Sequence, residues 1–246
     1  MSKKRKALIW CLSITLVFAI IFGGCLVYLS IYYKADTETV DAFLSKSTVL
    51  VEENKKHTAF LPNEKSDVGF IFYPGGKVDY KAYYPLMQTL AEYGVFSVVV
   101  KMPFNLAVFD SNAADKVMEE YPDVKNWYIG GHSLGGAMAA AHTSKNEGNF
   151  KGLVLLGAYS TKNLSDSNIS VLSVYGSLDK VMNKEKYDEC LSNMPKDFSE
   201  FIIDGGCHAY FGAYGEQKGD GKATLSANEQ IYITATHIYQ FISSHG

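Results

Sequence analysis

The sequence predicts an α/β fold, a mostly parallel central sheet with helices on both faces, preceded by an N-terminal transmembrane helix. Three observations carry that expectation. From residue 68 onward, runs rich in β-branched and aromatic residues alternate with helical stretches, as parallel strands joined by crossover helices do. An uncharged run from Ala7 to Tyr33 follows a cluster of cations at the N-terminus. Finally, a strand-like run breaks on "GGHSLGG" (130–136) and passes into an alanine-rich helical stretch. Glycine costs backbone entropy wherever it sits, so this density signals geometry that other residues do not reach.

The chain has 246 residues, 47% of them hydrophobic, and a net charge of −3. That length suits one domain plus an appendage. The charge is too near balance for nucleic acid as the main partner. No internal repeat or low-complexity tract stands out. No CxxC, HExxH or His-rich tract predicts a metal, and no cofactor is expected. Four cysteines are too few for a disulfide scaffold. Cys11 and Cys25 fall inside the apolar run, and Cys190 and Cys207 are expected as unpaired thiols, although an oxidising compartment would permit their pairing.

Residues 1–34 read as a cytoplasmic basic tip and a signal anchor. Lys3, Lys4, Arg5 and Lys6 precede the apolar run, and Tyr28, Tyr32 and Tyr33 crowd its far end as an interfacial belt would. At ~1.5 Å per residue the run reaches roughly 40 Å, more than a hydrocarbon core of ~30 Å needs. The cations hold the N-terminus inside, so the expectation is a single-pass protein of the cell membrane, its domain extracytoplasmic. A cleaved signal peptide and a lipoprotein processed at Cys25 remain as rivals, and both also export the domain.

Residues 35–46 are expected to link this anchor to a domain over 47–246, with a linker or short juxtamembrane helix at Asp36–Leu44. "STVLVEE" and "KHTAFLP" read as a hairpin, and "VGFIFYP" (68–74) as a buried strand. A helix over about 79–93 follows, with Pro85 either in its first turn or at a bend. "VFSVVV" (95–100) is a strand, 112–121 a helix, and "NWYIGG" a strand leading into the helix that starts near Ser133. "GLVLLGAY" (152–159) and "VLSVYG" (171–176) are strands with only a short join between them, so no lid domain is inserted. A helix over 184–194, the strand "FSEFIID" and a last helix over 227–243 complete the chain. Ser226 and Glu229 have capping-box spacing at the start of that helix.

Gly131-His132-Ser133-Leu134-Gly135 fits G-x-S-x-G, the sharp turn that carries a nucleophilic serine between a strand and a helix. The string alone is weak, and its strand–turn–helix context strengthens it. With "YPGGKVD", "KMPFNLAVFD", "YGSLDKV" and "GGCHAYFGAYGEQKGDG", it makes the chain resemble the α/β-hydrolase superfamily from about Ser47 to the C-terminus. It looks like a small bacterial branch near the dienelactone-hydrolase-like enzymes. Those enzymes typically carry Cys as nucleophile where this chain has Ser133, so lactone hydrolysis is not favoured.

A serine hydroxyl needs a base, and the base an orienting acid. The chain has six histidines. His132 lies within the elbow, His142 in the same helix, His57 ahead of the sheet core, and His237 and His245 at the C-terminus. His208 follows the last strand, at the carboxyl end where open sheets bind ligands. For the acid, Asp204 is nearer to His208 in sequence, whereas chain order and the resemblance favour Asp179. The backbone N–H of Leu134 is one expected oxyanion donor. Analogy with the family's "HGG" loops implies Gly76 as the other, with Gly75 allowing close approach; Pro74 stands where many relatives have His. Gly75, Lys77, Tyr210 and Phe211 are candidate substrate contacts, although Lys77, like Lys101, also suits a solvated surface. The expected activity is cleavage of small, accessible carboxylic esters through an acyl-enzyme. Transfer of the acyl group to a sugar or lipid acceptor would use the same residues. A binding protein that keeps the fold without catalysis is the non-enzymatic alternative.

Overall fold

The computed structural model describes residues 2–245. The chain divides into two compact units, one ending at Tyr32 and the other beginning at Tyr33. The first is helix α1 (Lys3–Ser30), capped by Ser2, whose hydroxyl accepts from the Arg5 N–H. Among the described residues, Leu12–Ser30 is the one stretch of helix long and apolar enough to cross a membrane.

The second unit opens with a short helix, α2 (Thr37–Leu44), capped by the Asp36 carboxylate. Its Val40 and Phe43 are buried, and the Phe43 carbonyl accepts from the buried amide of Gln88. The stretch 35–46, expected as a linker or a short juxtamembrane helix, thus holds a helix and packs as part of the globular unit. Two apolar residues three apart on one helical face are enough to dock it.

Eight strands form one sheet in the order β1-β2-β4-β3-β5-β6-β7-β8. They are β1 (Leu50–Glu53), β2 (His57–Leu61), β3 (Val68–Tyr73), β4 (Phe96–Val100), β5 (Asn126–His132), β6 (Gly152–Leu156), β7 (Ser170–Gly176) and β8 (Phe198–Ile203). β2 runs antiparallel to both β1 and β4, and every other pairing is parallel. Strand alternation divides the core in two. Phe70, Phe72, Tyr128, Val154 and Leu156 face one layer, with α3 (Tyr84–Glu92) and α7 (Ala227–Ser244). Ile71, Tyr73, Ile129, Leu153 and Leu155 face the other, with α4 (Ala113–Glu120) and α5 (Leu134–Thr143). Burial on both faces explains why these strands read as continuous apolar runs.

Pro85 occupies the first turn of α3, after a 3₁₀ turn at Tyr80–Tyr83, so the helix starts late and does not bend there. In the first turn its missing N–H has no intrahelical partner to lose. The predicted capping box of α7 is complete, with Ser226 and Glu229 bonding each other's backbone N–H. Helix α6 (Lys184–Cys190) ends in a 3₁₀ turn at Leu191–Asn193. Among the described residues there is only a loop between β6 and β7, so no lid domain is inserted there. Cys25, Cys190 and Cys207 are free thiols.

Candidate active site

The carboxyl ends of β5, β6, β7 and β8 converge on one cleft of about 330 Å³, lined by Ser133, Leu134, Gly157, Tyr159, Met182 and His208 among others. A hollow of about 410 Å³ beside Thr143 and Ser167 is larger, but no histidine reaches it. Chemistry rather than size therefore picks out the smaller cleft.

Ser133 joins β5 to α5 with φ 52° and ψ −121°, a conformation L-residues rarely adopt. Surrounding bonds hold it there: its N–H donates to the Leu156 carbonyl at 2.9 Å, and its carbonyl accepts from the Ala137 N–H at 3.1 Å. Two glycines make the turn possible. A Cβ on Gly131 would lie 2.5 Å from the Gly135 carbonyl carbon, and one on Gly135 would fall onto the carbonyl oxygens of Tyr73 and Pro74 at the end of β3. The helix can approach the strand end only without those side chains.

His208 enters from the loop after β8. Its Nδ1 lies 2.7 Å from Asp179 Oδ2, and both side chains are 1% exposed. The other oxygen of Asp179, Oδ1, accepts the N–H groups of Val181 and Met182, each at 2.8 Å. The carboxylate is thus fixed by its own loop, and its second oxygen is directed at the imidazole. Asp204 is exposed and meets the Ser177 hydroxyl at 3.3 Å. On the far side of the His208 ring, Nε2 is buried and has no hydrogen-bond partner. His208 and Ser133 line the same cleft, and the hydrogen bond between them is not formed in this structure. Serine–imidazole contacts in unliganded sites are often loose.

The N–H groups of Gly76 and Leu134 have no acceptor among the described residues. The two residues abut, since a Cβ on Gly76 would lie 2.9 Å from Leu134 Cδ2. Leu134 begins α5, where the first N–H groups lack intrahelical partners and the helix dipole favours negative charge.

Residues 69–232 match the alpha/beta hydrolase family, more than half of the chain. The chain belongs to the α/β-hydrolase family. Two solved structures share this hydrolase's fold. Est1E from Butyrivibrio proteoclasticus is 15% identical, with a TM-score of 0.58 over 81% of this chain and 99% of that one. TT1662 from Thermus thermophilus is 12% identical, with a TM-score of 0.59 over 80% and 99%. No curated protein matches the hydrolase by sequence.

The expected substrate contacts of this α/β-hydrolase need correction. Phe211 is fully buried, and its ring lies 5.5 Å from that of His132. Tyr210 lines a different hollow, with Cys207, Glu216 and Asp220. The reason is local: Ala209–Phe211 form a 3₁₀ turn that carries the chain inward directly after His208. Gly75 packs inward too, because a Cβ there would meet His132 Nδ1 at 2.7 Å and the Tyr83 hydroxyl at 2.8 Å. Lys77 has φ 59° and donates its N–H to the Asn105 carbonyl, outside the cleft lining. Lys101 pairs with Glu53 on the surface.

Other residues support the hydrolase site and were not anticipated. The buried Tyr83 hydroxyl accepts the Gly75 N–H at 3.0 Å and shares a hydrogen bond of 2.8 Å with His132 Nδ1. This bond ties the loop bearing Gly76 to the elbow. The His132 ring lies 4.5 Å from that of His208, tilted by 48°. Gln230 of α7, fully buried, accepts from the Cys207 N–H at 3.0 Å and donates to the Cys207 carbonyl at 2.7 Å, bracing the residue before His208.

Burial, with the neighbouring His208 second, holds His132 well below the ordinary imidazole pKa, and burial likewise lowers His57. The unfolded chain therefore binds protons that the folded chain refuses. The sign follows: this stability is complete above about pH 6.5 and is lost as pH falls from there toward the lowered folded values. The guanidinium midpoint is expected to be lower at pH 5 than at pH 7.5, and equal midpoints would contradict it.

Proposed function

We propose that this α/β-hydrolase is a serine hydrolase that cleaves carboxylic esters, or similar acyl bonds, with Ser133 as nucleophile, His208 as base and Asp179 as orienting acid. What carries this reading is the 2.7 Å contact of His208 Nδ1 with the buried Asp179 carboxylate, in a cleft shared with a serine held at φ 52°. Nδ1 holds its proton toward Asp179, which leaves the Nε2 lone pair to accept the Ser133 proton. As Oγ bonds to the substrate carbonyl carbon, the carbonyl π electrons move to oxygen, where the N–H groups of Gly76 and Leu134 receive the charge. Each such donor is worth about 2.7–4 kcal/mol in the transition state. Collapse breaks the bond to the leaving oxygen, which takes the proton from Nε2 and departs as an alcohol. Water then gives a proton to Nε2 and its oxygen to the acyl carbon. The acid leaves, and Ser133 regains its proton.

A cleft of about 330 Å³ without a lid suits small or accessible esters. Helix α1 is proposed as a single-pass anchor in the cell membrane, its N-terminal cations cytoplasmic and the domain outside. The test of the chemistry is fluorophosphonate labelling of the detergent-solubilised full chain. Wild type is expected to label, and Ser133→Ala is expected neither to label nor to hydrolyse p-nitrophenyl acetate. Equal labelling of the two would overturn the assignment.

A further inference from the structure

The loop after His208, "GEQKGDGKAT" (215–224), is polar and glycine-rich, and its Asp220 side chain reaches back toward the segments that carry the buried pair. The half-buried Asp220 carboxylate uses both oxygens on backbone N–H groups. Oδ2 accepts from Ala209, the residue after His208, at 2.8 Å. Oδ1 accepts from Lys180, the residue after Asp179, at 3.2 Å, and from Gly221 at 2.8 Å. One carboxylate therefore bridges the two loops that carry the histidine and its acid.

Other features of the loop serve that bridge. Gly221 has no room for a side chain, since a Cβ there would fall onto the Leu178 carbonyl oxygen; a glycine lets the loop close against the Asp179 segment. The Asp220 N–H donates to the Gln217 carbonyl at 3.1 Å, and the Thr224 N–H to the Gly205 carbonyl at 2.9 Å, so the loop is closed on itself and tied to the end of β8. The Cys207 thiol, pushed up to about 12 by burial and in part by Asp220, stays protonated beside this carboxylate.

We propose that Asp220 is a positioning residue, whose carboxylate joins the backbone at 180 to the backbone at 209 and so sets the contact between His208 Nδ1 and Asp179 Oδ2. This rests on the triad assigned above. Charge matters here as well as shape. Both oxygens face N–H donors, so an amide would turn an NH₂ toward one of them and keep only part of the bridge. Asp220 lies outside the cleft lining, so its removal acts on the pair rather than on substrate contacts.

The experiment is steady-state hydrolysis of p-nitrophenyl acetate by the full chain in detergent, with wild type, Asp220→Ala, Asp220→Asn and, as a control in the same loop, Lys222→Ala. A displacement of about 1 Å in a catalytic group costs about 100-fold, so Asp220→Ala is expected to lose about that much kcat with KM within about twofold. Asp220→Asn is expected to fall between it and wild type, and Lys222→Ala to match wild type. Should Asp220→Ala fail to fold, Asp220→Asn decides: reduced kcat at unchanged KM supports the bridge, and wild-type kcat overturns it. Fluorophosphonate labelling separates the two levels of inference. A wild type that labels while Asp220→Ala turns over normally overturns the role of Asp220 alone. A wild type that neither labels nor turns over brings down the triad, and this proposal with it.

Discussion

Replacing Ser133 with glycine is expected to abolish ester turnover, by about 10⁶-fold in kcat, while stabilising the fold by about 1 kcal/mol. The first effect is loss of the proposed nucleophile, since residues that act as one unit lose nearly everything together. The second comes from the backbone. Ser133 sits at φ 52° and ψ −121°, where a Cβ is strained, and such strain costs about 1–3 kcal/mol. Glycine adopts positive φ without that penalty, although it gives back about 0.4–1 kcal/mol through the entropy of the unfolded chain. Alanine retains the Cβ and therefore the strain. For a chain of this size the Ser133→Gly protein should melt about 2–4 °C above Ser133→Ala at equal inactivity. Turnover by the glycine variant near the wild-type rate would move the chemistry to another group, and equal melting points would mean that the elbow stores no strain.

The same turn shows how much of this molecule is legible in its sequence. The strands could be read because burial on both faces demands long β-branched and aromatic runs, and "VGFIFYP" and "VFSVVV" are such runs. The elbow could be read because its glycines answer to backbone collisions close by in the chain. His208 and Asp179 could be picked out by chain order, since each follows a strand at the same edge, and the two meet at 2.7 Å. What could not be read depends on contacts far apart in sequence. Nothing about Tyr83 announces a hydroxyl 2.8 Å from His132, 49 positions away. Gln230 looks like any polar residue in the first turn of a helix until its amide is found on the Cys207 backbone. Tyr210 and Phe211 mislead in the opposite way. They adjoin His208 along the chain, but a 3₁₀ turn carries both out of the cleft. Asp220 shares the problem, because its bond to the Lys180 N–H spans 40 positions.

Asp179→Asn is expected to lower kcat about 10⁴-fold with little change in fold or KM, because it reverses the imidazole's tautomer. Oδ1 of Asp179 accepts two backbone N–H groups, from Val181 and Met182, and Oδ2 faces His208 Nδ1. An asparagine has one oxygen to offer. Turned toward His208, that oxygen would leave an NH₂ group against two N–H donors in a buried setting. Turned toward Val181 and Met182, it satisfies both and presents the NH₂ to the imidazole instead. The second arrangement keeps two bonds and is favoured, and it makes Nδ1 an acceptor. The ring proton then moves to Nε2, the atom proposed to take the proton from Ser133, so the proposed base is blocked while the geometry survives. A deletion such as Asp179→Ala would also remove the two loop bonds and confuse disorder with chemistry, which is why the amide is the sharper test. Asp204→Asn serves as the comparison: Asp204 is exposed and its carboxylate meets the Ser177 hydroxyl, so its amide is expected to retain kcat within about twofold, as surface changes remote from the chemistry do. Should the two variants exchange phenotypes, the acid would be Asp204, and the buried contact between residues 179 and 208 would be structural.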